Sequence, residues 1–110
     1  MGITKTTGFS AETNEMAEIL KALGHPARLE IVQFLMNSPS CICGDIVEVL
    51  PLAQSTVSKH LSELKKVGII KGTITGNNIC YCLDEVGFKK VKGFFQEVTT
   101  HLDNTKKQCC

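Results

Sequence analysis

The spacing of apolar residues predicts two helices in the first third of the chain. The first has a stripe at the i, i+3, i+4, i+7 spacing and ends at the sequence LGHP, with Gly24 and Pro26. Its stripe consists of Met16, Ile19, Leu20 and Leu23. The second helix is predicted to stop at Pro39, and its stripe consists of Leu29, Val32, Leu35 and Met36.

Two further helices are predicted in the middle of the chain. Asp45 followed by Glu48 has the spacing of a capping box, which predicts a short helix that ends before Pro51. A longer helix is predicted from Gln54 to Gly68, because glycine commonly ends a helix. The buried stripe of this longer helix consists of Val57, Leu61, Leu64 and Val67.

After Gly68 the apolar period changes from that of a helix to that of a strand. The segments IIKGTIT and NICYCL flank the turn-forming residues GNN, which predicts a β-hairpin. A last helix is predicted from about Glu85, with a wide and aromatic stripe that indicates burial against a partner as well as the core. That stripe consists of Val91, Phe94, Phe95, Val98 and Leu102.

The order of these elements predicts the fold class. It is mainly α with a small β-hairpin, in the order α-α-α-α-β-β-α. The short helix and the longer helix after it match a helix-turn-helix, and a hairpin directly after them is the wing of a winged helix-turn-helix. We expect one domain over residues 1–110, with flexible tails at about 1–10 and 103–110.

Composition limits the location and the chemistry. No run approaches the roughly 18 apolar residues of a membrane span, and no secretory signal is visible, so a cytoplasmic protein with no membrane partner is expected. A reducing compartment disfavours a disulfide scaffold and favours metal or redox chemistry for clustered cysteines. No nucleophilic cysteine with a nearby base and no Cys-x-x-Cys beside a βαβ unit is present, which argues against a thiol enzyme.

The charge distribution weakly indicates a polyanionic partner. The formal net charge is only +1, but residues 10–50 hold six acidic and two basic side chains. Residues 54–92 hold seven lysines and three acidic side chains. A basic half of this kind suits nucleic acid, although solvated lysines alone also produce it.

The longer middle helix carries side chains that suit DNA recognition. Hydroxyl, amide and imidazole groups read base edges, lysine contacts phosphates, and a helix N-terminus favours an anion. The candidates on this helix are Gln54, Ser55, Thr56, Ser58, Lys59 and His60, and those on the hairpin are Lys71, Asn77 and Asn78. The alternative is that Ser55 or Thr56 merely caps the helix.

Three segments resemble the ArsR/SmtB family of metal-sensing repressors. They are LGHPARLEIVQFL, AQSTVSKHLSELKKVGII and the hairpin end CYCLDE, and the resemblance covers roughly residues 14–100. It implies a homodimer joined through the first and last helices, binding to double-stranded operator DNA, and release from DNA when a metal ion binds. The residues expected at the dimer interface are Met16, Ile19, Leu23, Val91, Phe94, Phe95 and Val98.

The stretch SCICGDI resembles the Cys-Val-Cys-Asp motif of arsenic-responsive family members, with two departures. Gly44 separates the second cysteine from the acid, and Ile46 stands where many members have a further cysteine. The zinc site that other members carry on the last helix is absent, because Asp84 is followed by Val86 rather than histidine and His101 by Asn104 rather than glutamate.

Geometry allows the cysteines to share one ion. In an extended segment, residues i and i+2 lie on one face, roughly 7 Å apart, and Cys41 and Cys43 precede the predicted helix at Asp45. Cys80 and Cys82 have the same spacing in the second hairpin strand, and in winged helices the segment before the third helix commonly pairs with that strand. Soft sulfur ligands suit As(III), Sb(III), Cd(II) or Zn(II) as an inducer, with no obligatory cofactor.

Other roles for the cysteines remain open. The first alternative is a redox switch in which Cys41/Cys43 and Cys80/Cys82 form disulfides. The second is a structural zinc ion held by these cysteines, and the third is that Cys80 and Cys82 only pack. Cys109 and Cys110 are alternative third ligands or a redox handle on the tail. Among the histidines, His25 is expected to be a structural hydrogen-bonding group and His101 to face solvent.

Overall fold

Helices and short strands alternate along the part of the chain that the structure describes. The computed structural model describes residues 8–38, 41–43, 46, 50–76 and 78–105. Its elements are α1 (Ala11–Leu23), α2 (Pro26–Met36), β1 (Ile42–Cys43), α3 (Gln54–Lys66), β2 (Ile70–Thr75), β3 (Asn78–Leu83) and α4 (Glu85–Thr105). Of the predicted short helix, Asp45 and Glu48 lie outside the described residues, whereas Ile46 is helical and buried. None of the described helices is long and apolar enough to cross a membrane.

Side chains next to α2 and α4 accept hydrogen bonds from backbone amides in the first turns of these helices. Pro26 is the first residue of α2, and Nδ1 of His25 accepts a hydrogen bond from the Ala27 amide at 3.0 Å. This confirms the structural role predicted for His25. At the start of α4, the Asp84 carboxylate accepts from the Val86 amide at 3.0 Å.

The strands form one antiparallel sheet in the order β1-β3-β2. The hairpin β2–β3 confirms the predicted wing, and its turn contains Gly76 with a φ of +62°. Strand β1 pairs with β3, so that Ile42 lies opposite Tyr81 and Cys43 opposite Cys80. The pairing predicted between the segment before the helix-turn-helix and the second wing strand is therefore confirmed.

The core lies between the inner face of α3, helices α1 and α2, and the sheet. The predicted stripe of α3 is confirmed, since Val57, Leu61 and Leu64 are buried and Val67 is half-buried. The fully buried side chains are Ile19, Ile31, Ile46, Val57, Leu64, Ile69 and Ile70. Isoleucine dominates this list, in keeping with its high tendency to be fully buried.

Two predictions about helix faces and ends are wrong. Leu29 and Met36 of α2 are 47% and 62% exposed, whereas Ile31 is fully buried. The sequence PARLEIVQFLM is apolar on almost every side, so its periodicity does not define one inner face. Helix α4 continues to Thr105, so residues 103–105, which were predicted to be tail, are helical.

A glycine contact fixes the start of α4 against the joint between α3 and β2. Gly87 is buried, and a Cβ atom at this position would overlap the backbone carbonyl oxygen of Gly68. Gly68 itself has a φ of +81°, in the left-handed region that favours glycine. The two backbones therefore touch in a way that only glycine at position 87 allows.

This contact predicts the effect of adding one methyl group. Gly87→Ala should lower the free energy of unfolding by about 1–3 kcal/mol, because the backbone must shift to relieve the overlap. Gly93→Ala is the matched control on the same helix, since nothing lies within 4 Å of a Cβ there. The control should be neutral or stabilising by up to about 1 kcal/mol. Urea denaturation measures both, and equal stability of the two variants would contradict the close contact.

Candidate nucleic-acid interface and cysteine cluster

The first two turns of α3 present polar side chains to solvent. The exposed residues are Gln54, Ser55, Thr56, Ser58 and Lys59. Ala53 is the N-cap, and no side chain caps the helix. The amides of Thr56 and Val57 bond to the Ala53 carbonyl oxygen at 3.0 Å. The capping role considered for Ser55 and Thr56 is therefore not observed, and both hydroxyls are available on the outer face.

His60 does not belong to this outer face, so its predicted placement there is wrong. The residue is only 8% exposed and lies on the side of α3 that packs against α2. Its Nδ1 atom accepts a hydrogen bond from Nε of Arg28 at 3.0 Å, and its ring lies 4.5 Å from that of His25. The hydrogen bond from Arg28 offsets the desolvation cost of burying this imidazole.

The wing adds one described basic group and an apolar tip. Lys71 of β2 is exposed, as predicted for a phosphate contact. Asn77 and the side chain of Asn78 lie outside the described residues. Ile74 and Ile79 face each other across the hairpin and are 77% and 45% exposed, which the sequence analysis did not single out. Both residues alternate with polar residues near the hairpin turn, and this pattern could have identified the apolar tip from the sequence.

Positive charge accumulates on α3 and β2. Lys59, Lys65, Lys66 and Lys71 are all exposed. Lys65 and Lys66 lie in the last turn of α3, where a cation also interacts favourably with the helix dipole. Part of the basic character predicted from residues 54–92 therefore lies on the helix that carries the exposed hydroxyl and amide groups, whereas Lys89, Lys90 and Lys92 lie on α4.

The two cysteine pairs meet across β1 and β3. Cys41, just before β1, forms a disulfide with Cys82 of β3, and their Cα atoms are 4.7 Å apart. Cys80 is buried and is also disulfide-bonded, and the backbone of Cys43 lies opposite it in the strand register. We refer to Cys41, Cys43, Cys80 and Cys82 as the cysteine cluster.

The observed disulfide corrects the pairing considered for a redox switch. It joins one cysteine of each pair rather than Cys41 to Cys43 or Cys80 to Cys82. The physical reason is the strand geometry: residues i and i+2 are roughly 7 Å apart along one strand, whereas residues on adjacent strands are close enough for a disulfide.

The described side chains do not by themselves complete a metal site. Among them, no three histidine, cysteine, aspartate or glutamate groups converge on one point. The side chain of Cys43 and the alternative ligands Cys109 and Cys110 lie outside the described residues. Of the predicted metal ligands, the structure brings Cys41 and Cys82 into direct contact.

The cysteine cluster is adjacent to the core that supports α3. Strand β1 ends at Cys43, and Ile46 follows three residues later as a fully buried helical residue. Ile46 belongs to the same core cluster as Val57 and Leu61 of α3. Ile42 of β1 also packs against this cluster, so β1 and the inner face of α3 contact the same packed core.

An apolar surface runs along α1 and α4. A groove of about 680 Å³ lies between them, lined by Met16, Leu20 and Phe94 among others. Lys90 of α4 and Glu15 of α1 form an ion pair of 2.7 Å at this groove, with both side chains about half exposed. Most of the large apolar side chains of α4 are exposed, namely Val86, Phe94, Phe95, Val98 and Leu102.

The residues predicted for a dimer interface divide into three groups. Phe94, Phe95 and Val98 are 40–47% exposed and remain available to a partner. Ile19, in contrast, is only 1% exposed, so it belongs to the protomer's own core and its assignment to an interface is wrong. The remaining members are partly buried, and Leu23 and Val91 pack against the core.

Comparison with known proteins agrees with this architecture. The family model described as "Bacterial regulatory protein, arsR family" matches residues 25–71. An uncharacterized HTH-type transcriptional regulator of Methanocaldococcus jannaschii is 44% identical over 71 residues, covering 63% of this chain and 79% of the relative. The arsenical resistance operon repressor of Staphylococcus xylosus is 32% identical over 98 residues, covering 87% and 86%.

The solved structures add evidence on the fold. An ArsR-like transcriptional regulator from Rhodococcus sp. RHA1 superimposes with a TM-score of 0.71 at 21% identity, covering 86% of this chain and 89% of that one. At this identity the likeness shows the winged helix-turn-helix fold alone. The family model and the two relatives identify the chain as a DNA-binding transcriptional regulator rather than an enzyme. The chain belongs to the ArsR/SmtB family of transcriptional repressors.

Proposed function

We propose that this protein represses transcription in the cytoplasm by binding operator DNA, and that its cysteine cluster controls release from that DNA. The observation that carries the proposal is the contact between Cys41 and Cys82. It joins the segment just before the helix-turn-helix to the wing. Chemistry at these sulfur atoms therefore acts on both elements that a winged helix uses to hold DNA.

The outer face of α3 is the proposed DNA-reading surface. Its hydroxyl and amide groups can exchange hydrogen bonds with base edges, and Lys59 can contact a phosphate. The uncapped N-terminus of α3 supports this placement, since free helix amides favour an anion. Lys71 on the wing is proposed to contact the backbone beside the major groove.

Two substitutions on α3 separate these roles. Lys59→Ala should weaken binding to all duplexes and lower the salt slope by about one, because it removes one phosphate contact. Ser58→Ala should instead change the preference among duplexes by about 1–3 kcal/mol, as expected for a lost base contact. Fluorescence anisotropy at two salt concentrations measures both effects, on duplexes that the wild type selects from a random pool.

The exposed Lys89 on α4 provides the matched control for this experiment. Lys89→Ala removes the same charge away from α3 and should leave affinity and salt slope nearly unchanged. Equal behaviour of the Lys59, Ser58 and Lys89 variants would remove α3 as the DNA-reading element.

We propose that the apolar surface of α1 and α4 joins two copies of the chain. Its exposed aromatic pair, Phe94 and Phe95, lies with ring centroids 5.2 Å apart in an edge-to-face arrangement. Aromatic side chains at this exposure are typical of an interface centre. A homodimer would also place two α3 helices for the two halves of a symmetric operator.

A charge at this surface should break the dimer. Phe95→Glu places an unpaired carboxylate in the proposed interface and should yield monomers that bind DNA weakly. Met36→Glu is the control, because Met36 is 62% exposed and lies on α2 outside this surface. Sedimentation velocity at micromolar concentration measures the assembly. A monomeric wild type, or a dimeric Phe95→Glu variant, would contradict the proposal.

A thiophilic metal or metalloid is the proposed inducer, with As(III) first among As(III), Sb(III), Cd(II) and Zn(II). When reduced, Cys41 and Cys82 offer two sulfur donors, and Cys43 and Cys80 are the proposed further ligands. An all-sulfur donor set fits soft ions and excludes Mg²⁺ and Ca²⁺. Bound metal would supply a link between the thiolates of β1 and β3, and release follows if that linked form disfavours the DNA-bound conformation.

Arsenite titration of the DNA complex tests this proposal. In reduced protein, arsenite should release the wild type, whereas Cys41→Ser, Cys43→Ser and Cys82→Ser should stay bound. Because ligation requires thiolates, the arsenite affinity should fall as pH falls. Each variant is first shown to bind DNA without arsenite. A normal response of the Cys41/Cys43 double variant would place the site elsewhere, with Cys109 and Cys110 next to be tested.

The observed disulfide favours a second candidate, in which oxidation is the signal. Hydrogen peroxide would oxidise the thiols of Cys41 and Cys82 to the disulfide while it is reduced to water, with both thiol protons leaving in that water. The same titration separates the candidates. Release by peroxide, reversed by dithiothreitol and absent with arsenite, would replace the metal proposal with the redox one.

A further inference from the structure

The hydrogen bond between Arg28 and His60 joins three helices at one point. Nε of Arg28 donates to Nδ1 of His60 at 3.0 Å, which links α2 to α3. The Nη1 group of the same arginine donates to the Ala22 carbonyl oxygen of α1 at 3.2 Å. Because His60 is 8% exposed, this polar contact lies within the packed interior beside the core.

This hydrogen bond requires a neutral imidazole. A guanidinium group can only donate, so Nδ1 of His60 must carry a lone pair, and the ring proton must then lie on Nε2. A protonated His60 would instead present an N–H group to the N–H groups of Arg28. The hydrogen bond and the imidazolium form of His60 are therefore mutually exclusive.

Three basic side chains near His60 oppose its protonation. Arg28 faces it from α2, His25 from the joint between α1 and α2 with ring centroids 4.5 Å apart, and Lys59 from α3 itself. Desolvation by burial is the largest cause that lowers the pKa of His60 below 6.5, and these three groups lower it further.

The position of the hydrogen bond on α3 connects it to the proposed DNA-reading face. His60 directly follows Ser58 and Lys59, whose side chains are exposed. We propose that Arg28 and His60 are positioning residues for DNA binding, whose hydrogen bond holds α3 in its reading orientation only while His60 is neutral. The inference rests on the proposed operator binding and adds two residues that do not touch DNA.

The inference predicts an unusual pH dependence. Acid normally strengthens binding to DNA, because histidines gain positive charge. Here, protonation of His60 removes the hydrogen bond, so affinity should fall by up to about tenfold for each pH unit below the pKa of His60. The contribution of His60 to stability has the same sign: it is fully present above about pH 6.5 and is lost as pH falls through the lowered pKa.

Anisotropy between pH 7.5 and 5.0, on a duplex that the wild type selects from a random pool, measures this effect. His60→Asn keeps an acceptor near the position of Nδ1 but cannot titrate there. It should therefore bind like the wild type at pH 7.5 and lose the decline in acid. His60→Leu and Arg28→Met remove the hydrogen bond and should bind about tenfold more weakly at pH 7.5. His101→Asn is the matched control, since His101 is exposed on α4, and should keep the wild-type profile.

Several outcomes would overturn the inference. If wild type and His60→Asn share one pH profile, or if both bind more tightly in acid, the hydrogen bond does not position α3. Circular dichroism at each pH confirms that every variant is folded. Should His60→Asn not fold, Arg28→Met decides the question, because methionine cannot donate to Nδ1 of His60. An unchanged wild-type affinity of that variant would equally contradict the role. Absence of DNA binding by the wild type at every pH would instead overturn the proposed function itself.

Discussion

Burial of one face of α3 is the constraint on which the rest of the structure depends. Val57 and Leu64 are completely inaccessible and Leu61 nearly so, and the other elements pack around this stripe. Because helix periodicity is fixed, burying these positions turns Ser58 and Lys59 outward. The same packing brings His60 against α2, where Arg28 supplies the partner that a buried imidazole requires. The outer face is thus specified by the inner one.

The short strand β1 couples this core to the cysteine cluster. Its antiparallel register with β3 brings the segment of Cys41 and Cys43 beside that of Cys80 and Cys82. Ile46, which follows β1, is buried with the stripe of α3. A close-packed interior transmits such small displacements rather than absorbing them. Sulfur chemistry at the edge of the sheet is therefore mechanically close to the helix proposed to read DNA.

The sequence was sufficient for features that depend on local pattern, and insufficient for those that depend on distant partners. Periodicity predicted α3 and the hairpin, and the strand pairing common in winged helices predicted where the cysteine pairs could meet. His60 was wrongly predicted to be exposed because it is a polar residue beside the apolar stripe of α3. Its hydrogen-bond partner Arg28 lies 32 residues away in the sequence, so local pattern could not identify it. Helix α2 has apolar residues on almost every side, so its sequence does not show which face is buried. Packing against the other elements buries Ile31 and leaves Leu29 exposed. Ile19 was wrongly assigned to the interface because the apolar stripe of α1 contains both core residues and partly exposed residues, which the sequence does not distinguish.

We propose that the cysteine cluster acts on α3. Hydrogen–deuterium exchange of the reduced protein, with and without arsenite, tests this directly because it reports local opening of each helix. We expect faster exchange in the peptide covering residues 54–60 when arsenite is bound, and no change there in Cys41→Ser. Protection changes confined to peptides of β1 and β3, with residues 54–60 unaffected in the wild type, would contradict it.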